Sequence, residues 1–387
     1  ASFGEAALPV FQLAKQLRKA PPVIAKALGE GFTVDGIAAM EVAGGYLNLR
    51  FDRGAYGLGV LRGEDLQAEP QPGKFIVEHT NINPNKAAHI GHLRNSILGD
   101  TFVRMLRATG HNVEVQNYID NTGVQVADVV VGFHYLEKKS PVEVKALTQG
   151  RFDYLCWDLY ARVSQYYESN KEALEWRRNT LHAIEHSEGV EAELAHIVSD
   201  AIVHAHLATM LRLGIVYDVL PRESEILHLK FWASAFELLK QRNAIYFEEE
   251  GKNKGCWVMA GSAFREGRAE EGDSKVIVRS NGTVTYVGKD IAYQLWKFGL
   301  LGRDFHYKVL SRYSDGQPVW VSTDVPQDAK SPEFGRGSIV YNVIDVRQSY
   351  LQDVVAAGLR ALGYTSQAEN SVHFSYEMVA LSPRCGA

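Results

Sequence analysis

Two histidines, His89 and His92, enclose Ile90 and Gly91 at the point where an Asn- and Pro-rich stretch, residues 80–88, gives way to an apolar-periodic one. A helix that starts there presents free N–H groups and the positive end of its backbone dipole, which suits phosphate. Gly91 lets a ligand approach the backbone closely. Imidazoles at i and i+3 project to one side, where they can donate hydrogen bonds to phosphate oxygens that gain charge in a transition state. The chemistry that fits is nucleotidyl transfer: a carboxylate attacks the α-phosphate of ATP and pyrophosphate leaves. Positioning and charge stabilisation carry such a reaction. Two helical histidines of no consequence are the plain alternative. A zinc pair is another, but without acidic or cysteine partners nearby the two make a poor zinc site.

The elements around the motif come in the order this chemistry needs. Residues 75–79 read as a strand, and the helix after His89 carries an apolar stripe of Ile90, Leu93, Ile97, Phe102, Met105 and Leu106, with Gly110 as its stop. Residues 113–119 read as the next strand, so strand, helix and strand form a βαβ unit in a parallel sheet. Residues 131–213 are helical in pattern, most clearly at 152–167 and 190–213. Short strands are expected at 216–220, 246–248 and 257–260. Asn281-Gly282 joins 275–280 to 283–287 as a hairpin. A helix at 289–300, strands at 305–310 and 339–346 and a helix at 348–362 make a second βα series. The polar stretch 311–338 reads as a surface insertion.

In front of this lies a smaller unit. Residues 6–20 read as one helix ended by Pro21-Pro22, residues 23–28 as a second, and 37–42 with 46–51 as a hairpin around Gly44-Gly45; residues 63–73 read as a linker. The expected fold is α/β. A Rossmann-like parallel sheet with a helical insertion at about 131–213 occupies residues 73–387, behind a small α+β domain of residues 1–72.

Composition narrows the class. A chain of 387 residues has room for two or three cores. No apolar run approaches the roughly 18 residues of a membrane span, and the N-terminus carries no secretory pattern. Cys156, Cys256 and Cys385 show no CxxC spacing, so a cytoplasmic protein without a disulfide framework or cysteine zinc site is expected. A net charge of −5 does not announce nucleic-acid binding, whose footprint is a basic patch.

Longer runs sharpen the motif. The stretch from Val77-Glu78-His79 through Asn83-Pro84-Asn85-Lys86 to His89-Ile90-Gly91-His92-Leu93-Arg94-Asn95 resembles the first signature of arginyl-tRNA synthetases. Tyr118-Ile119-Asp120-Asn121-Thr122-Gly123-Val124-Gln125 is similar to the strand-end loop of that family. Residues 218–224, 285–298, 343–352 and 373–379 follow in family order, and Gly44-Gly45-Tyr46-Leu47-Asn48 resembles its N-terminal tRNA-contacting domain.

The resemblance implies a class I arginine–tRNA ligase that uses ATP, with Mg2+ accompanying the nucleotide, L-arginine and tRNA(Arg), as a monomer with no membrane association. His89, Gly91, His92 and Lys86 are then the ATP-binding positions, the two histidines being catalytic. Tyr286 and Asp290 are the positions that hold the guanidinium; their i, i+4 spacing lets both face one pocket, and a carboxylate accepts a guanidinium bidentately. Glu223 matches another acidic position of that pocket. Asn83 and Gln348 match polar positions for the α-amino and carboxylate end, Glu78 matches a position of unassigned role, and no metal-ligand set is implied. The family's second, lysine-rich KMSKS-type loop is expected after residues 373–379, where the sequence runs instead through Ala380-Leu381-Ser382-Pro383-Arg384-Cys385-Gly386-Ala387. A truncated chain with impaired activity is therefore expected. The alternative is a non-catalytic fragment that binds arginine, ATP or tRNA.

Overall fold

The computed structural model describes residues 4–31, 34–63, 68–260, 274–282, 284–327 and 330–379. The chain divides into two units, residues 1–70 with 108–110, and residues 71–107 with 111–387.

In the first unit, β1 (Ala6–Pro9), β2 (Ile37–Ala43) and β3 (Tyr46–Phe51) form an antiparallel sheet in the order β1-β3-β2. The hairpin expected around Gly44-Gly45 is present, with Gly44 at φ 59°. The single helix expected at 6–20 is not. Its first residues pair with β3, Pro9 ends that strand, and a short helix, Phe11–Leu17, follows after Val10. Pro21 opens the next helix, Pro21–Gly31, rather than ending the previous one, because a first-turn residue needs no N–H donor. A helix at Arg53–Arg62 was not anticipated. Asp52 caps it by accepting from the Gly54 and Ala55 N–H groups, and Gly63 ends it in the left-handed conformation. Val10, Ile24, Ala25 and Leu47 form this unit's core.

In the second unit the strands are β4 (Lys74–Glu78), β5 (Asn112–Gln116), β6 (Val219–Leu220), β7 (Tyr246–Phe247), β8 (Trp257–Met259), β9 (Lys275–Val278), β10 (His306–Arg312), β11 (Pro318–Thr323), β12 (Ile339–Asp345) and β13 (Ser371–Tyr376). Seven of them form the central sheet, in the order β10-β11-β6-β5-β4-β12-β13. All neighbouring pairs are parallel except β10 with β11. Along β4, Ile76 belongs to one core and Val77 to the other, as the two-residue period of a strand requires. The connection from β4 to β5 runs to one side and that from β12 to β13 to the other. The carboxyl ends of β4 and β12 therefore flank a topological switch point, where open α/β sheets bind ligands.

Three expectations change here. Residues 311–338 contain β11, the second strand from the sheet's edge, whose Val319 to Ser322 are buried. Of the expected second hairpin arm, 283–287, the described residues 284–287 form no strand; Val284 makes one isolated bridge to Val278 and a helix, Tyr286–Lys297, begins. On the helix Ile90–Ala108, the expected stripe residues Ile90, Ile97 and Met105 are exposed, and the buried positions are Asn95, Ser96, Gly99 and Val103. Residues 131–213 are mostly helical, including Phe152–Ser169 and Gly189–Leu211, and a helix at Val124–Val131 precedes them. The helix Gly189–Leu211 is long and apolar, and it buries Leu194, Val198, Ile202 and Met210 inside the unit.

Candidate functional site

The chain leaves β4 through Thr80 and Asn81, both with positive φ (78° and 41°). Non-glycine residues hold such angles only when their surroundings over-determine them. The Asn81 N–H donates to Asn117 Oδ1 at 3.0 Å, its Oδ1 accepts from the Tyr118 N–H at 2.8 Å, and its Nδ2 donates to Glu78 Oε1 at 2.8 Å. Asn95 accepts from the Thr80 N–H and donates to the Val343 carbonyl (2.7 Å) and the Tyr376 hydroxyl (2.9 Å). One side chain thus ties the loop after β4 to β12 and β13. The helix lies so close that a Cβ on Gly99 would sit 2.3 Å from the His79 ring. This explains the stripe: the buried face of the helix is chosen by polar ties and close approach rather than by apolar residues.

At the start of that helix the His89 and His92 rings stack, centroids 3.7 Å apart and 18° from parallel. The Gly91 N–H donates to His89 Nδ1, and the His89 N–H donates to His92 Nδ1, both at 3.2 Å. With Nδ1 accepting in each ring, the proton of each neutral imidazole is on Nε2. Burial and the charge of Lys86 lower the His89 pKa. Burial, then His89, His206 and Lys86, lowers that of His92 to about 3. The corner is a pair of neutral N–H donors at a helix N-terminus.

Both rings line a cavity of about 670 Å³ beyond the carboxyl ends of β4, β5 and β12. Its other wall is acidic. Glu78 pairs with Lys297 at 2.6 Å, and Lys297 donates to Asn342 Oδ1 at 2.9 Å while lying 4.4 Å over the Tyr293 ring. Asp290, Tyr293, Gln294 and Lys297 all border the cavity, at the spacing of one helix face. Burial, then the charges of Glu223 and Glu78, raises the Asp290 pKa to about 7 against the pull of Lys297 and Lys289. Asp120, just past β5, also borders the cavity; burial and its hydrogen-bonded neighbour Glu223 hold its carboxyl well above the usual range. Burial opposes the charge of Glu223, yet Lys289 at 2.9 Å and hydrogen bonds from Asp120 and Thr122 outweigh it and keep that pKa low.

Of the residues singled out from sequence, Glu78, Asn83, His89, Gly91, His92, Asp290 and Gln348 border this one cavity. Glu223 and Lys86 do not. Glu223 is turned to Lys289 and Thr122. Lys86 has its ammonium over the Trp157 and Tyr160 rings, at 5.2 and 5.3 Å. Tyr286 begins its helix, but its side chain lies outside the described residues. Asn95, Asp120 and Lys297 were missed. For Asp120 a signal existed, since an acidic residue just past a parallel strand's carboxyl end is where a site is expected.

Comparison with known proteins agrees with this architecture. Residues 60–300 match the family model described as "tRNA synthetases class I (R), catalytic domain", and residues 1–51 match "Arginyl tRNA synthetase N terminal domain". The chain belongs to the arginyl-tRNA synthetase family of class I. It is 36% identical over 390 residues to the arginine–tRNA ligase of Thermococcus kodakarensis, covering 95% of this chain and 59% of the relative. It is 36% identical over 374 residues to that of Deinococcus radiodurans, covering 96% and 58%. The solved arginyl-tRNA synthetase of Thermus thermophilus is 34% identical and superimposes with a TM-score of 0.75, over 97% of this chain and 60% of that one. The chain thus spans about three fifths of the length of these relatives.

Proposed function

We propose that the cavity takes ATP and L-arginine together, forms arginyl-adenylate, and delivers the arginyl group to tRNA(Arg). The observation that carries this reading is that the histidine corner and the carboxyl of Asp290, which forms no ion pair among the described residues, border the same cavity. An oxygen of the arginine carboxylate attacks the α-phosphorus, the bond to the bridging oxygen breaks, and pyrophosphate leaves with that electron pair. His89 and His92, held as Nε2–H donors, are suited to the charge that grows on the phosphate oxygens. Lys86 contributes through its field at the corner. Mg2+ enters with ATP as part of the substrate. Asp290 takes the guanidinium with Tyr286 at the start of the same helix, Glu223 stands behind with its charge held by Lys289, and Asn83 and Gln348 take the α-amino and carboxylate end.

Calorimetry with this chain tests the reading. Arginine is expected to bind, and ornithine and lysine to bind far more weakly, because a point charge does not satisfy acceptors arranged for a planar fork. Asp290→Asn is expected to weaken arginine binding by about 2–4 kcal/mol, since the bound cation loses its countercharge. Equal affinity for lysine, or an unchanged affinity in the variant, would remove arginine as the substrate.

A further inference from the structure

The internal contacts of the histidine corner fix its two rings relative to each other. They do not fix the corner relative to the cavity. That falls to the backbone leading into it, residues 80–89, which belongs to no strand and enters its helix only at Ile90. The front end of this loop is tied to the sheet through Asn81 and Asn95. Its far end is held by the helical insertion. His206, on the helix Gly189–Leu211, is 4% exposed, and its Nε2 stands 2.7 Å from the Lys86 carbonyl oxygen, 120 residues away along the chain. A carbonyl only accepts, so the ring donates from Nε2. That helix buries mainly apolar side chains, and a histidine among them is costly unless its N–H is used. One residue on, the Ala87 N–H donates at 3.1 Å to the Asp153 carbonyl, in the first turn of the helix Phe152–Ser169. The same helix sets Trp157 steeply against the His89 ring, at 67° with centroids 6.2 Å apart, and under the Lys86 ammonium.

We propose that the helical insertion positions the histidine corner for adenylate formation, with His206 and Trp157 as the positioning residues: His206 holds the Lys86 carbonyl, Trp157 holds the His89 ring, and together they set where His89 and His92 meet the phosphates. This rests on the adenylate reading above and extends it to two residues outside the cavity. Among the described residues, none of 131–213 borders that cavity, so the insertion acts on the reaction only through the loop it grips. Two successive residues, Lys86 and Ala87, are gripped through their backbone by two different helices. A loop pinned in this way has little freedom to slide or turn, and the corner begins two residues later. Placement of this kind matters most in the transition state, where a shift of about 1 Å costs on the order of 10²-fold in rate. The acidic wall has its own supports in the sheet and in the helix Tyr286–Lys297, so the arginine end of the cavity does not depend on the grip.

The test is ATP–pyrophosphate exchange by the 387-residue chain with L-arginine and tRNA(Arg), beside calorimetry with L-arginine, in two variants at His206. His206→Gln carries an amide N–H to about the place of Nε2 and reaches the Lys86 carbonyl; His206→Asn is one methylene shorter and does not. In His206→Asn the kcat of exchange is expected to fall by about 10- to 100-fold, with the KM for arginine and the calorimetric arginine affinity as in the parent. His206→Gln is expected to recover most of the rate. A histidine that only stabilises the insertion would give a different pattern: arginine affinity would fall along with the rate, or the two amides would behave alike. Either of those results, or an unchanged rate in His206→Asn, would overturn the inference and leave the adenylate reading in place. Should His206→Asn fail to fold, as loss of arginine binding would report, Trp157→Leu carries the same test from the other helix; the same fall in kcat at unchanged arginine affinity is expected, and a parental rate would overturn the inference. A parent chain that shows no exchange would remove the adenylate reading and this inference with it.

Discussion

The two walls of the cavity are built by opposite means. The histidine corner is local: His89, Gly91 and His92 hold one another through two backbone N–H donors and a ring stack. The acidic wall is assembled from distant segments: Glu78 at the end of β4, Asp120 after β5, and the helix that carries Asp290 and Lys297, with the Glu223–Lys289 pair behind it. A local device can be neutral and need no counter-ions. A wall of gathered carboxyls must manage its own repulsion, and here it does so with two buried lysines and raised pKa values.

The largest effect should come from removing one of those lysines. Lys297 is almost wholly buried, and its only carboxylate partner among the described residues is Glu78. Lys297→Met keeps the length of the side chain but leaves Glu78 as a buried charge without a partner. The loss of unfolding free energy in a denaturant titration is expected to be about 3–5 kcal/mol. A double replacement, Lys297→Met with Glu78→Gln, should recover a large part of it, since the cost lies in the orphaned charge rather than in the missing pair. If the single variant is as stable as the parent, the wall does not depend on internal pairing and the contrast with the histidine corner fails.

The corner answers to a different change. His92→Ala leaves the acidic wall intact, so arginine affinity should stay as in the parent. In arginine-dependent ATP–pyrophosphate exchange with tRNA(Arg), the rate should fall by about 10²–10³, the usual loss for one transition-state donor. His92→Gln, whose amide N–H reaches about the place of the imidazole Nε2, should recover part of that rate. A fall in arginine affinity equal to the fall in rate would mean that the two walls are not separable.

What the sequence disclosed follows the same division. The corner was legible because its contacts lie within four residues and depend on backbone N–H groups that any helix start supplies. Asp290 was singled out through the family resemblance, and it borders the cavity; the Tyr286 side chain lies outside the described residues. The pairing of Glu223 with Lys289, and of Glu78 with Lys297, was not, because each joins segments that meet only through the sheet order. The fold shows similar limits. The parallel sheet and the helical insertion followed from apolar periodicity, but β11 was hidden. Pro318 opens it and Ser322 and Thr323 close it, and proline is tolerated at a strand's first residue. The buried face of the helix Ile90–Ala108 was hidden for a related reason. Asn95, Ser96 and Gly99 are buried for hydrogen bonds and close approach, and a search for apolar stripes passes over them.

The smallest expected effect is also the sharpest way to separate the walls, because it depends only on pH. His92, and the fully buried His79 behind it, have pKa values lowered to about 3 by burial. Unfolded histidine takes up its proton near pH 6.5. These groups therefore add nothing to the pH dependence above that value, and they cost stability as pH falls below it, because only the unfolded chain binds the proton. Asp290 has the reverse sign. Its folded pKa is about 7 and its unfolded value 3.8, so the stability it permits is fully present below pH 3.8 and is lost as pH rises toward 7. Acid should trouble the corner and neutral pH the wall. In long-range nitrogen–proton spectra, His92 should appear as a neutral ring with the proton on Nε2, its shifts flat from pH 8 to pH 5.5, and His89 should titrate below the ordinary histidine value. In thermal unfolding, added arginine should raise the melting temperature more at pH 8 than at pH 6, because it binds the ionised wall. A histidine shift with a midpoint near 6.5 would show the corner to be charged in the working range. An arginine effect of equal size at both pH values would show the wall to be ionised already when empty.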